Sequence, residues 1–244
     1  MKKDVVIYTA ISKGYDDLKI PYSVSDRCDY VCFTDDPSLH GGPWDVRPFP
    51  NEDQGLDQIR KCRQVKIQPH VFLPEYQYSI WVDGNIEITA DIDELIEKHF
   101  DQPGPGFLSF DHPWRDCIYV EAEGVIENKK GIEIGYGDRR VRDQMAKYRA
   151  EGMPEKNGLI ESNVIMRKHT PEVKKVMDQW WQEVKTHSRR DQLSFNYVAW
   201  KNNFSYGHLE GCSRWNTNKY FEIKYEHSAA PTTANDTTFA EEQF

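Results

Sequence analysis

Two oxygen-bearing side chains, Asp83 and Asn85, follow an apolar run in the middle of this 244-residue chain. The run at residues 79–82 has the continuous apolar character of a buried strand, so we expect the pair at the rim of a sheet. In open α/β sheets, ligands bind at the carboxyl ends of the strands. A carboxylate and an amide one residue apart suit a hard divalent cation and the diphosphate that it bridges. Asp-Gly-Asn is also an ordinary turn signal, which is the competing interpretation.

Polar groups also accompany the first two predicted strands. Tyr8, Thr9 and Ala10 lie near the end of the first strand. In a nucleotide-binding sheet this position would contact the base and the ribose. Asp36 follows the second strand, and its carboxylate could accept hydrogen bonds from the same groups. Asp-Asp-Pro is common turn chemistry as well, so both interpretations of Asp36 stay open.

The charge distribution limits the class of partner. The net charge of −9 at pH 7 argues against a nucleic-acid-binding protein. Basic residues cluster only locally, around Arg60 and Lys66 and again at Arg189 and Arg190. Neither run is long enough to bind nucleic acid, but each can contact a diphosphate.

Three further sites carry polar side chains suited to a sugar. His112 and Arg115 flank Trp114 directly after a predicted strand, and an aromatic face stacks on a sugar ring while charged groups bond its hydroxyls. The alternative there is a salt-bridged loop with Trp114 in the core. Glu161 interrupts an apolar strand, which is costly unless the carboxyl group faces a cavity or a network. Asp191 stands at a predicted helix start and could bond sugar hydroxyls.

Two late histidines, His208 and His227, are candidates for a further protein ligand at Asp83 and Asn85. Histidine is a common ligand for manganese-type ions, although a lone histidine is more often a bystander. The sequence therefore indicates a candidate site for a divalent cation and leaves open which histidine, if either, belongs to it.

Strands alternating with helices over the first 110 residues predict a single α/β domain with a mostly parallel central sheet flanked by helices. The predicted strands are residues 4–11, 29–34, 44–48, 79–82, 107–110 and 159–166. The predicted helices are residues 58–70, 91–100, 141–149 and 171–187, and one from 188 or 191 to 201. Residues 1–228 form the domain in this prediction, and the polar residues 229–244 form a flexible tail.

The sequence also carries expectations about the compartment. The five cysteines are scattered and lack paired spacing, so neither a disulfide framework nor a zinc site is expected. The start of the chain lacks signal-peptide character, and no stretch approaches the roughly 18–20 apolar residues that span a bilayer. We therefore expect a cytoplasmic protein with no integral membrane segment.

Six segments in this order resemble a known family. They read Val-Ile-Tyr-Thr-Ala-Ile-x-x-Gly-Tyr-Asp-Asp-Leu, Cys-Phe-Thr-Asp-Asp, Ser-Ile-Trp-Val-Asp-Gly-Asn-Ile, His-Pro-x-Arg-Asp-Cys-Ile-Tyr-x-Glu-Ala, Gly-Leu-Ile-Glu-x-Asn-Val-Ile-x-Arg and Ser-x-Arg-Asp-Gln-Leu-Ser-Phe. Together they are similar to the glycosyltransferase-like domain family of bacteria and of the plant proteins linked to seed mucilage and turgor regulation. The resemblance extends from residue 5 to about residue 200.

The resemblance implies a GT-A-type, Rossmann-like fold that binds a nucleotide sugar with Mn²⁺ or Mg²⁺ at the Asp-x-Asp position, where Asn85 replaces the second aspartate. An amide binds a cation less strongly than a carboxylate does, so the metal would arrive with the nucleotide. The resemblance implies that Asp83 and Asn85 form the metal and diphosphate site and that Arg60 and Lys66 approach the diphosphate. It implies that Tyr8, Ala10 and Asp36 line the nucleotide pocket. On the sugar and acceptor side, the implied residues are His112, Arg115, Glu161, Asn163 and Asp191.

The segment from His208 is also similar to the His-x-x-Gly-x-x-Lys motif of glycogenin-like transferases, with Arg214 in place of the lysine. The leading hypothesis is thus a metal-dependent glycosyltransferase that moves a sugar from a nucleoside-diphosphate donor, expected to be a UDP-sugar, to a glycan or other hydroxyl acceptor. Asp191 would be the acceptor-side carboxylate, acting as the base if the reaction inverts the anomeric centre. One alternative is a metal-dependent hydrolase of the amidase type, in which Asp83, His112 and His227 activate water. The other is a catalytically silent nucleotide- or partner-binding module.

Overall fold

The computed structural model describes residues 3–51, 55–130, 132–215 and 217–224. The predicted fold class is confirmed, because a seven-stranded sheet in the order β3-β2-β1-β4-β7-β6-β8 is flanked by helices, and β5 pairs with β9 separately. The strands are β1 (Val5–Ile11), β2 (Cys28–Thr34), β3 (Trp44–Pro48), β4 (Tyr78–Val82), β5 (Ile86–Ile88), β6 (Phe107–Asp111), β7 (Ile160–Lys168), β8 (Gly207–His208) and β9 (Phe221–Ile223). The helices are α1 (Gln58–Ile67), α2 (Pro69–Phe72), α3 (Asp93–Ile96), α4 (Ile118–Glu127), α5 (Arg139–Ala150), α6 (Pro171–Thr186) and α7 (Gln192–Lys201). The predicted tail and His227 lie outside the described residues.

One strand of the central sheet, β7, runs against all the others. β1 pairs in parallel with β2 and β4, and β2 pairs in parallel with β3. β7 is antiparallel to both of its neighbours, β4 and β6, while β8 is parallel to β6. The first residues of β7 therefore lie at the same edge as the carboxyl ends of β4 and β6.

Alternate residues of each strand pack on opposite faces of the sheet, as the two-residue period of a strand requires. Val6 and Tyr8 of β1 belong to the cluster that contains the buried side chains of α1 and of α4 to α7. Val5 and Ile7 belong to the cluster formed with α3, β5 and β9. The sheet is thus covered on both faces, which explains why its strands are almost continuously apolar.

Helix α6 forms as its sequence predicts. Thr170 caps it by accepting a hydrogen bond from the Val173 amide, and Pro171 occupies the first turn, where a missing N–H costs nothing. Its apolar stripe is buried, with Trp180 fully inside. At 16 residues α6 is the longest helix in the described part of the chain, and none of the described helices is long and apolar enough to cross a membrane.

The structure differs from the predicted elements in three places. The helix predicted at residues 58–70 is two helices, because α1 ends at Ile67 and Pro69 begins α2 in a first-turn position. The helix predicted at residues 91–100 continues after α3 as a π-helical segment, Glu97–Asp101. Helix α4 and the short strands β5, β8 and β9 were not predicted, because their segments are too short or too mixed in polarity to show a period.

Several histidines in the folded protein are harder to protonate than in an unfolded chain. Burial lowers the pKa of His70, His99, His112 and His187. The largest shift is at His169, directly after β7, where burial lowers the pKa from 6.5 to about 3. The unfolded state therefore binds more protons than the folded state once the pH falls below about 6.5, so the folded state loses stability with falling pH.

We predict that the free energy of unfolding decreases between pH 7 and pH 5, and that His169→Gln removes roughly 1–2 kcal/mol of that decrease. Glutamine retains a polar group that can reach the Ser79 hydroxyl, which lies 2.9 Å from His169 Nε2. Urea denaturation at the two pH values measures the effect, with exposed His40→Gln as the matched control. Identical pH dependence in the His169 variant and the wild type would contradict the prediction.

Candidate active site

A cleft with two adjoining lobes opens at the edge of the sheet where β4 and β6 end and β7 begins. The large lobe has a volume of about 630 Å³ and the small lobe about 110 Å³. The two lobes share the side chains of Arg63, Asp83, Asn85, Lys130 and Arg190. A cleft at the carboxyl ends of parallel strands is the position expected for a ligand site in an α/β protein.

The reversed direction of β7 brings residues from distant parts of the chain to this cleft. The Asp83 amide donates to the Asn163 carbonyl at 2.8 Å, so the pairing of β4 with β7 continues into the polar segment. Glu161 and Ser162, at the start of β7, line the large lobe beside Asp83. Polar side chains within this strand thus face the cleft, as the sequence predicted for Glu161.

Lys66, at the end of α1, is the buried cation between two carboxylates. Its side chain is only 1% exposed, and Nζ lies 3.1 Å from Asp83 Oδ1 and 2.8 Å from Asp191 Oδ2. The ammonium group also donates to the Ser162 hydroxyl. Trp81 Nε1 donates to Asp83 Oδ1 at 2.7 Å, which fixes that carboxylate further. Lys66 therefore joins the end of β4 to the segment before α7.

Asp191 is ionised under all ordinary conditions. Burial would raise the pKa of this carboxyl group, but the charges of Arg63 and Lys66 outweigh burial and hold the pKa far below its usual range. Oδ1 lies 3.4 Å from Arg63, and the Ser162 hydroxyl donates to Oδ2. A general base needs a pKa near the working pH and a free oxygen. These properties make Asp191 a poor candidate for the base of an inverting transfer.

Glu161 has the opposite electrostatic character. Burial raises its pKa, and the nearby charge of Arg214 only partly offsets the effect. Arg214 Nε donates to Oε1 at 2.6 Å, and Cys212 Sγ lies 3.9 Å from Oε2 as a weak donor. A raised pKa means that a carboxyl group accepts a proton more readily, and such a group in a cleft is a candidate for proton transfer. Glu161 is thus better suited than Asp191 to act as a base.

His112 and Arg115 line the large lobe as a structured turn. His112 Nδ1 accepts the backbone amides of Arg115 and, at 3.4 Å, Trp114. An acceptor nitrogen requires the neutral ring, and burial lowers the His112 pKa in agreement with this. Arg115 donates to the buried carboxylate of Glu121 on α4. His112 consequently orders the loop that carries Trp114 and presents no free ring nitrogen at Nδ1.

The large lobe is positively charged although the chain is acidic. Basic side chains outnumber carboxylates six to four among its described lining residues. The basic residues are Arg63, Lys66, Arg115, Lys130, Arg190 and Arg214, and the acidic residues are Asp83, Glu121, Glu161 and Asp191. A concave site of one sign concentrates ligands of the opposite sign, so the lobe favours an anion.

The side-chain oxygen atoms near Asp83 are the candidate ligands for Mn²⁺ or Mg²⁺. Asp83 and Asn85 line both lobes, and Asn163 Oδ1 is buried and accepts no hydrogen bond from any residue that the structure describes. Oxygen ligands of this kind suit hard cations. Residues 3–224, apart from the gaps at 52–54, 131 and 216, contain no group of three or more His, Cys, Asp or Glu side chains placed to hold a metal. The residues fit a cation that brings diphosphate oxygens with it.

A family model described as the TOD1/MUCI70 glycosyltransferase-like domain matches residues 46–225. The chain belongs to this family. The resemblance inferred from the six sequence segments is thereby confirmed. A probable hexosyltransferase MUCI70 of Arabidopsis thaliana is 26% identical over 256 aligned positions, which cover 93% of this chain and 42% of that protein. The chain thus spans less than half the length of this curated relative.

Two solved structures of glycosyltransferases superpose on the chain with low identity. An apo structure of the bifunctional glycosyltransferase WbbM matches with a TM-score of 0.47 and 11% identity, covering 86% of this chain and 39% of that chain. The apo form of mouse xyloside xylosyltransferase 1 matches with a TM-score of 0.48 and 12% identity, covering 88% and 90% of the two chains.

Several residues predicted for the nucleotide and metal sites lie outside the cleft. The Tyr8 side chain is fully buried, and its hydroxyl donates to the Lys66 carbonyl and accepts from Arg167. Thr9 is buried within β1 and also lies outside both lobes. Ala10, by contrast, lines the small lobe. Tyr8 therefore supports Lys66 from behind, and a side-chain contact between Tyr8 and a nucleotide is excluded.

The remaining displaced residues are held by partners of their own. Arg60 is buried against the Glu133 carboxylate and does not reach the cleft. Asp36 accepts from the Ser38 amide and hydroxyl beyond the end of β2. Exposed His208 pairs with Asp111 at 2.8 Å, away from Asp83. These positions correct the expectations for Arg60, Asp36 and His208. Arg60 and His208 form ion pairs with residues distant in sequence, which the sequence does not display, and Asp36 is held by local hydrogen bonds.

The cleft also contains basic residues whose individual roles the sequence did not assign. Arg63 lies one helical turn beyond Arg60 on α1 and lines the cleft. The sequence identified this basic run, but Arg60 and not Arg63 was assigned to the diphosphate. Arg190 had a similar signal at the start of α7. Lys130 had no signal, because it lies in a charged segment without visible periodicity.

We predict that Lys66→Met destabilises the fold much more than Asp83→Ala does. Without the ammonium group, the carboxylates of Asp83 and Asp191 lose the cation that they share. Breaking a buried pair costs about 3–5 kcal/mol. Removing Asp83 leaves Lys66 paired with Asp191 and Ser162. Urea denaturation of both variants measures the difference. Equal losses, or a larger loss in Asp83→Ala, would show that Lys66 does not carry the network.

Proposed function

We propose that this domain transfers a hexose or a related sugar from a nucleoside-diphosphate donor to a hydroxyl acceptor. The observation that carries the proposal is the convergence of Asp83, Asn85 and a surplus of basic side chains on one cleft at the ligand-binding edge of the sheet. Membership in a glycosyltransferase-like family supports the reaction class. The name of the Arabidopsis relative, a probable hexosyltransferase, supports the choice of sugar.

The two lobes suggest how the donor lies in the cleft. The small lobe is lined by Ala10 of β1 and by Tyr15 and Asp16 after that strand, which suits a nucleoside. Arg63 and Arg190 line both lobes, so a diphosphate at the junction would contact both guanidinium groups. The sugar would then enter the large lobe.

A divalent cation would be held by Asp83 and Asn85 together with donor oxygens. When bound, Mn²⁺ or Mg²⁺ would neutralise charge that develops on the leaving diphosphate. The Lys66 ammonium, 3.1 Å from Asp83 Oδ1, would hold that carboxylate in place for this role. The cation site is therefore incomplete without the nucleotide, in keeping with the neutral amide at position 85.

On the acceptor side, we assign the base to Glu161 in an inverting transfer. The bond between the acceptor oxygen and the anomeric carbon forms while the bond from that carbon to the diphosphate oxygen breaks. The proton of the acceptor hydroxyl passes to Glu161, and the negative charge of the leaving diphosphate is met by Arg63 and Arg190. Asp191 remains a permanent anion that holds Lys66.

The described geometry favours neither alternative function. In the amidase hypothesis, His112 would help Asp83 and His227 to activate water, but its Nδ1 accepts backbone amides and its Nε2 lies 3.7 Å from Glu121. A silent binding module would not require a carboxyl group with a raised pKa in the cleft, and Glu161 has that property.

We predict that UDP with Mn²⁺ raises the melting temperature more than either ligand alone, because cation and diphosphate share the Asp83 and Asn85 oxygens. A ligand at a hundred times its dissociation constant stabilises by about 2.7 kcal/mol. Thermal shift with UDP, GDP and CDP measures the effect, and Asn85→Ala should lose the metal-dependent increment. Equal shifts with and without metal would remove Asp83 and Asn85 from the metal role.

We predict that Glu161→Gln slows transfer by roughly 10²–10⁴-fold while the UDP-dependent thermal shift is retained. Loss of the base should also remove the dependence of rate on deprotonation of a carboxyl group whose pKa lies above the ordinary glutamate range. Nucleoside diphosphate release with an acceptor, measured across pH, tests both points. Exposed Glu123→Gln on α4 is the matched control. Retention of the full rate in Glu161→Gln would refute the assignment.

A further inference from the structure

Two exposed tryptophans meet at the mouth of the cleft, although they are about a hundred positions apart in the chain. Trp114 is 56% exposed and Trp215 is 52% exposed. Their ring centroids are 5.4 Å apart and the ring planes meet at 74°. The two rings are thus nearly perpendicular and form an open corner bounded by two aromatic rings. We call this pair the tryptophan corner.

Polar contacts hold the corner in place. His112 orders the loop before Trp114 through its Nδ1, and its ring contacts the Trp114 ring at 5.8 Å between centroids. The guanidinium carbon of Arg214 lies 5.3 Å from the Trp114 ring centroid. Arg214 in turn is fixed by the buried carboxylate of Glu161. The corner is therefore preorganised by groups of the cleft, while more than half of each ring stays accessible.

Apolar surface that is exposed and clustered at a cleft marks an interaction site, whereas single exposed apolar residues do not. Trp114 and Arg214 line the large lobe, while Trp215 lies beyond its lining residues. The corner therefore extends from the lobe toward its outside. A ligand that spans both must be longer than the single group that occupies the lobe.

The chemistry around the corner selects a carbohydrate. A sugar ring has an apolar C–H face that stacks on an indole and a rim of hydroxyls that bond charged side chains. Charged groups of this kind surround the corner, namely the Arg214 guanidinium beside Trp114 and the Arg115–Glu121 pair in the lobe. An acyl chain would remove water from these charged groups and offer no hydrogen bonds in its place, which is costly.

We propose that the tryptophan corner is an acceptor subsite that binds a sugar ring of a glycan chain, next to the residue whose hydroxyl receives the transferred sugar. The proposal rests on the proposed transferase function and specifies its acceptor as an oligosaccharide or polysaccharide. A monosaccharide would fill only the lobe and would gain nothing from Trp215.

The test compares acceptors of increasing length. Probes are xylo-, gluco-, galacto- and galacturono-oligosaccharides with their monosaccharides, measured by intrinsic tryptophan fluorescence and by UDP release from a panel of UDP-sugars with Mn²⁺. At least one oligosaccharide series should bind more tightly than its monosaccharide. Trp215→Ala should weaken oligosaccharide binding and raise its KM about tenfold, and Trp215→Phe should recover part of the loss. Tyr22→Ala, an aromatic 80% exposed outside the cleft, should behave as the wild type.

The outcomes separate the two proposals. Wild-type affinities that do not rise with chain length, or an unchanged oligosaccharide affinity in Trp215→Ala, would overturn the subsite while UDP release still supported transfer. Absence of any fluorescence response to millimolar saccharides would overturn it as well. If the wild type releases no UDP from any donor but binds oligosaccharides through Trp215, the transferase proposal fails and the subsite remains as a glycan-binding site.

Discussion

The buried ammonium group of Lys66 is the charge on which the cleft depends. It lies at the end of α1, yet its partners come from the end of β4, the start of β7 and the segment before α7. A buried cation is tolerated only when it is paired and hydrogen-bonded, so the four segments must meet whenever the chain folds. The hydroxyl of Tyr8, bonded to the Lys66 carbonyl, fixes the same helix end from below. The contacts of Lys66 thereby set the position of Asp83.

A second ion network, centred on Arg60, holds the other side of this arrangement. Arg60 pairs with Glu133 and donates to the carbonyls of Val184 and His187, at the end of α6 and just beyond it. Because Arg60 and Lys66 both belong to α1, the helix is joined at one end to the segment that leads to Asp191 and at the other to Asp191 itself. The segment between α6 and α7 is held at two points, and it carries Arg190 into the cleft. Along α1, Arg60 and Lys66 are buried in ion pairs within the protein, whereas Arg63, between them in sequence, lines both lobes of the cleft.

The sequence was sufficient to predict strands and helices that have a long, regular hydrophobic pattern. It was not sufficient to predict the contacts between these elements. β1, β2, β4 and α6 were predicted closely because continuous apolar runs and a capped amphipathic stripe depend only on local sequence. The direction of β7 was not predicted, since period and composition are the same for parallel and antiparallel strands. Asp83, Asn85 and Glu161 could be proposed as site residues because the polarity of their own segments is a local signal. The sites proposed for Arg60 and His208 were wrong because they depend on contacts between distant segments. Their partners, Glu133 and Asp111, are distant or unremarkable in sequence, and only the fold decides which cation pairs internally.

Two carboxyl groups in one cleft, Asp191 and Glu161, show how environment assigns different chemistry to similar side chains. Both are buried, so burial raises the pKa of each. Asp191 faces Arg63 and Lys66 together, and their combined charge reverses the effect of burial. Glu161 faces Arg214 through one oxygen, and burial prevails. When their surroundings shift the pKa values of two carboxyl groups in opposite directions, one group stays an anion and the other becomes the candidate for proton exchange. The opposite pKa shifts in this cleft therefore follow from the number of cations around each group, and the tryptophan corner lies beside Arg214, the partner of Glu161.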